Sequence, residues 1–166
     1  MNAESEFLRY SITKLRQEFA HIEACVAKLP PEQLWQRGGE SQNAIGNLLL
    51  HLTGNLRQWI LQSVAGMTIQ RDRDAEFAAR SGPSEDALVD DLRGVINSAC
   101  TVIGDLPDER LIEIVHVQGH DVSVLEAIYH VVEHFSGHTG QIILLTKSST
   151  GSDLGFYGYL ARPSVQ

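Results

Sequence analysis

Residues Ser123 to Lys147 read SVLEAIYHVVEHFSGHTGQIILLTK, and the spacing of their apolar positions decides the fold. Val124, Ile128, Val131, Phe135, Ile142 and Leu145 recur in alternating steps of four and three once position 138 is counted among them. That is the seam of a helix packed on other helices. Position 138 is a histidine where an aliphatic side chain is expected, and His130 and His134 precede it at the same four-residue interval.

The same pattern recurs upstream. Ala3 to Leu29 carries Leu8, Ile12, Leu15, Phe19, Ile22, Val26 and Leu29, and Pro30-Pro31 then removes the amide hydrogens that a continuing helix needs. A second helix is predicted from Asn43 to Val64, with Ile45, Leu48, Leu52, Leu56 and Trp59 inward and Gly66 as its stop. A third runs from Ser84 to Leu106, capped by the Ser84 hydroxyl, with Glu85 and Asp86 favourably placed in its first turn. The reading is all-α: one four-helix-bundle domain over residues 1–166. The connector over 66–83 spans at most about 55 Å when extended, against about 33 Å for a helix of ~22 residues. It can cross the whole bundle and let helices two and three run parallel. Between helices three and four, Ile112 to Val117 partly alternates and suggests a short strand or hairpin. The tail from Thr150, with Leu154, Phe156, Tyr157 and Tyr159, is aromatic enough to pack back on the bundle.

Composition narrows the function classes. At 166 residues, 43% apolar, the chain can build a core without disulfides. Its 21 acidic against 13 basic residues disfavour nucleic acid or an anionic membrane as the main partner. Cys25 and Cys100 lie far apart in apolar-periodic stretches, so they read as buried small hydrophobes rather than a zinc or redox motif. No basic region followed by an apolar run opens the sequence, and no apolar run approaches the ~20 residues that span a bilayer. A cytoplasmic location is therefore expected.

The histidines carry the chemistry. Neighbours four apart on a helix lie about 6 Å apart along its axis and can chelate one ion; His130 and His138, about 12 Å apart, cannot. At ~100° per residue, His138 lies roughly 30° from the seam direction, His134 roughly 70° and His130 roughly 110°. The pair His134/His138 thus faces inward. A catalytic ion takes about three protein ligands and keeps open positions, and in a bundle the third comes from a facing helix. His21 points away from its seam and helix three has no histidine, so elimination leaves His51 on helix two. The HxxEH letters His130-Val-Val-Glu133-His134 also match an inverted zinc-protease motif, but that reading ignores the more central His138. His116 and His120 fall in a segment whose alternation does not converge such a pair, and read as surface or rim residues.

His130-Val-Val-Glu-His134-Phe-Ser-Gly-His138-Thr-Gly-Gln141 resembles the HxxEHxxxHxGQ signature of the DinB/YfiT-like family of proposed metalloenzymes. His51-Leu-Thr-Gly-Asn55-Leu-Arg-Gln-Trp59 resembles that family's second-helix segment, and Arg71 to Phe77 and Asp153 to Tyr157 resemble stretches of one uncharacterised branch. The resemblance implies an up-down-down-up bundle, one divalent ion held by His51, His134 and His138, and a homodimer; a three-histidine ligand set suits Zn, Ni or Fe as that ion. The resemblance further implies a small-molecule substrate, in some relatives a low-molecular-weight thiol such as mycothiol or bacillithiol. Relatives often carry Arg after the last ligand, where this chain has Thr139, which puts any shared anionic substrate in doubt.

Three functions follow for test. The first is a metal-dependent enzyme, a thiol-dependent S-transferase or a hydrolase, with Asn55 and Gln141 as ligand supports or substrate contacts and no general base assigned. The second is a non-catalytic metal-binding or stress-response bundle. The third is a metal-free helical interaction module with a hydrogen-bonded core histidine. The charge run Arg71 to Glu76 reads as a solvated surface that could instead cap the site.

Overall fold

The structure, a computed structural model, describes residues 2–156 and 158–160. It is mostly helical. The five α-helices among the described residues are α1 (Ala3–Val26), α2 (Ile45–Leu56), α3 (Arg73–Ala78), α4 (Glu85–Gly104) and α5 (Val124–Thr150). The four long ones share a core: α1 packs on α4 and α5, and α2 packs on the same two from the other side. Leu15, Ile22, Leu52, Leu92, Ile103, Ile128 and Phe135 are among the side chains fully buried there.

Local chemistry sets the ends. Asn2 and Ser84 accept from the amides of Ser5 and Ala87 to start α1 and α4. Ser123 and Glu126 cap each other reciprocally at the start of α5, which ends on left-handed Gly151. Helix one stops at Val26, three residues short of the predicted Leu29, because its last turn tightens into hydrogen bonds three residues back before the proline pair. Helix two also departs from its prediction. It begins at Ile45, and from Arg57 to Gln62 it widens into a turn of π-helix, with Ser63 and Ala65 donating to carbonyls five residues earlier.

The expected hairpin is present as β1 (Ile114–Val117) and β2 (His120–Ser123), paired antiparallel with Val117 opposite His120. Gln118 and Gly119 both have positive φ, as a two-residue turn of this handedness requires. In the tail, Leu154 is buried and Phe156 lies 4.3 Å from His21 between ring centres, so this part does return to the bundle. Tyr157 and the side chain of Tyr159 lie outside the described residues. No described helix is long and apolar enough to cross a membrane.

The seam of α5 follows 3.6-residue periodicity more closely than the sequence reading supposed. Thr139 and Thr146 are buried where His138 and Leu145 were expected. Over this length, steps of 4, 3, 4, 4, 3 and 4 track a straight helix better than strict alternation does. Thr139 satisfies its hydroxyl on the Phe135 carbonyl at 2.9 Å. His138 is thereby moved from the seam's centre to its flank and left half-buried.

Candidate metal centre

Two turns of α5 and one of α2 bring three imidazoles together. His134 and His138 project from the same flank of α5, their ring centres 4.4 Å apart. His51 meets them from α2 with its ring 5.0 Å from His134 and 5.1 Å from His138. One ring nitrogen from each of the three lies within 4.8 Å of the others, and His51 Nε2 is 2.9 Å from His134 Nε2. An ion at 2.0–2.1 Å from tetrahedral ligands holds them about 3.3 Å apart. Movements of about 1 Å at the ring atoms would satisfy that distance, so the group fits a metal-binding site.

The outer partners select which nitrogens face the centre. His51 is 4% exposed, and its Nδ1 lies 3.0 Å from Glu76 Oε2. An ionised carboxylate only accepts, so Nδ1–H donates and the Nε2 lone pair is presented inward. Glu76 is held by Arg71 through two bonds, Nε to Oε1 at 2.7 Å and Nη2 to Oε2 at 2.8 Å. Arg71 Nη2 is also 3.2 Å from His51 Nδ1; both are donors, drawn close because they share Oε2. Burial works against the Glu76 charge, but the Arg71 and His51 hydrogen bonds outweigh it and hold the carboxyl below its usual range. On the other side, His138 Nδ1 donates to Gln141 Oε1 at 3.0 Å, which frees its Nε2 in the same way.

Electrostatics keep His134 and His138 in the form that binds metal. Burial, then the neighbouring His138, His51, His130 and Arg71, push His134 down to about 3. Burial lowers His138 as well, against the Gln141 hydrogen bond. A cavity of about 300 Å³, lined by His130, Glu133, His134, Gly137, His138 and Gln141, opens the flank of α5 to solvent.

The remaining histidines stay outside the three-ring group. His130 is stacked between Trp59, 3.9 Å away, and His134, 5.3 Å away, and does not join the three-ring group; Glu133 is exposed beside it. The inverted zinc-protease reading thus lacks its chelating pair. His116 pairs with Asp121 across the exposed hairpin at 2.8 Å, and His120 is exposed at its turn. Cys25 and Cys100 are buried and free. Gln141 takes the supporting place expected of it. Asn55 is buried with its carbonyl oxygen unpartnered among the described residues and touches none of the three rings by a hydrogen bond.

The Arg71–Glu76 pair is what the sequence reading missed. A connector rich in both charges reads as solvated, yet Glu76 is 9% exposed and sits against His51. Gly54 on α2 allows this approach: a Cβ there would overlap Glu76 Oε1 and lie 2.7 Å from Arg71 Nε.

Residues 2–157 match the model of a family described as "Protein of unknown function (DUF1572)". The chain belongs to the DUF1572 family. Solved structures place this DUF1572 protein in the DinB-like fold. A DinB-like protein from Bacillus cereus superposes with a TM-score of 0.66 at 17% identity, over 86% of this chain and 89% of that one. A DinB-like protein from Bacillus subtilis gives 0.68 at 13%, over 89% and 96%. A conserved protein from Enterococcus faecalis gives 0.72 at 12%, over 92% and 99%. No curated protein matches the DUF1572 chain.

Proposed function

We propose that this DUF1572 protein is a divalent-metal-dependent enzyme whose ion is held by His51, His134 and His138 and which acts on a small molecule. The observation that carries the reading is the convergence of three ring nitrogens within 4.8 Å of one another, with the His134 and His138 rings beside a solvent-open cavity and His51 buried behind them. A buried ion locked by four protein ligands would serve structure alone, whereas an ion held by three imidazoles would keep room for water or substrate. When bound, such an ion supplies Lewis acidity and lowers the pKa of a coordinated water or thiol. The chain's own work is positional. Glu76 and Gln141 fix the ring tautomers of His51 and His138, Arg71 holds Glu76 ionised, and burial keeps His134 neutral.

Of the finer assignments, S-transfer from a low-molecular-weight thiol, an up-down-down-up helix order and a homodimer rest on the DinB-like resemblance; hydrolysis and Zn, Ni or Fe as the ion rest on the chemistry of three imidazole ligands; a cytoplasmic setting is carried over from the sequence reading. Elemental analysis of protein purified without added metal tests the centre. Near-stoichiometric divalent metal is expected in the wild type, with loss from His51→Ala, His134→Ala and His138→Ala while the helical circular dichroism persists. Metal retained in all three variants would refute the assignment.

A further inference from the structure

The metal-centre cavity does not end at His138. The next residues on that flank of α5, at steps of three and four, are Gln141, Leu144, Leu145 and Ser148, and they form one wall of a larger groove of about 830 Å³. Its other wall is the loop ahead of α2, including Arg37 and Gly38. Gln141 lines both cavities. From His138 to Ser148 the helix advances about 15 Å, so the two spaces together suit an extended small molecule.

Charge says which kind. The chain carries 21 acidic residues, yet among the described residues the groove is lined by amides, serines, leucines and Arg37 and by no carboxylate. Arg37 is half-buried and held rigidly, its Nη2 donating to Asn47 Oδ1, Phe77 O and Ala79 O at 2.8, 2.5 and 3.0 Å. Its Nε is buried without an acceptor, and no carboxylate pairs with it among the described residues. Burial and the like charge of Arg80 both work against its protonated form, which is the reverse of a guanidinium satisfied by an internal ion pair. A fixed cation that lines a groove and has only neutral oxygens as partners keeps its charge available to an anionic oxygen group.

We propose that the groove holds a carboxylate-bearing arm of the substrate, with Arg37 as its counter-charge and the reactive end at the three histidines. This rests on the metal-centre reading above for the reactive end only; the carboxylate arm stands on the groove itself.

The test uses the full chain, isotope-labelled and metal-free, titrated by NMR with octanoate and with octanol. Octanoate is expected to bind at least tenfold more tightly, shifting the amides of Gly38, Ser148 and Ser149. Arg37→Gln should bring the two ligands within about twofold. Ser148→Glu, which places a negative charge in the groove and leaves the Arg37 contacts alone, should do the same and covers the case in which Arg37→Gln fails to fold. Equal affinity of the wild type for octanoate and octanol overturns the proposal, whatever the metal analysis shows. Zinc-loaded protein should then bind 8-mercaptooctanoate more tightly than octanoate. An octanoate preference with no gain from the thiol would instead overturn the claim that groove and histidines serve one substrate.

Discussion

A ligand imidazole has to give away one nitrogen to present the other. In His51 the giving is done to Glu76, and the bond is short and buried. Neutralising that carboxylate has two separable effects. Outer partners of metal-bound histidines are worth about 10–100-fold in affinity, so Glu76→Gln should weaken metal binding by that factor in a chelator competition. The same change leaves the Arg71 guanidinium, 5% exposed at its side chain, without a counter-charge, and breaking a buried pair this way costs about 3–5 kcal/mol of stability. Adding Arg71→Gln removes the stranded charge. The double variant is expected to regain most of its denaturation midpoint while its metal affinity stays low; recovery of both together would mean Glu76 serves packing only. His134 and His138 could be singled out in the sequence because four-residue spacing is a local signal, and His51 followed by elimination among the histidines of the other helices. Arg71 and Glu76 could not, because five residues apart in a connector they make no periodic pattern, and only the fold presses them onto α2.

At the scale of the element, two glycines separate local propensity from tertiary fit. Gly94 sits inside α4 with nothing within 4 Å of where a Cβ would stand. Gly94→Ala should therefore stabilise the protein by about 1 kcal/mol, the ordinary helix-propensity gain. Gly54 is equally helical, but its missing Cβ is the space that Glu76 and Arg71 occupy. Gly54→Ala is expected to lower stability despite the same propensity gain, and to weaken metal binding as Glu76→Gln does, measured by denaturant melts and chelator competition on both alanine variants. The helices themselves were readable because their apolar periods, their serine caps and their terminal prolines act locally. The precise face of α5 was not. Choosing Thr139 over His138 for the core depends on whether the helix winds at 3.5 or 3.6 residues per turn against its neighbours, and two adjacent positions differ by only about 100°. That rotation matters for function, since a fully inward His138 would have no cavity beside it.

Across the whole molecule, the candidate centre adds a dependence on pH that a simple aliphatic bundle would lack. His134 is pushed down to about 3, chiefly by its burial and then by the neighbouring His138, His51, His130 and Arg71, and burial also depresses His130 and His138. In the unfolded chain a histidine titrates near 6.5. Between those values the unfolded state binds protons that the folded state refuses, so stability must fall as pH falls. Above the unfolded value neither state is charged, and these groups contribute no slope. Glu76 acts in the same direction lower down, since its depressed carboxyl stabilises the fold above its unfolded value and loses that contribution as it protonates. The metal-free protein should therefore show a flat melting temperature from about pH 8 to 7 and a steady decline below about pH 6.5. His134→Gln removes the most depressed of these groups while keeping a polar side chain. It is expected to flatten the decline between about pH 6 and 4, as read by thermal melts in a chelator-containing buffer series. A His134→Gln profile that keeps the full wild-type slope would show that the half-buried ring takes up its proton freely in the folded state.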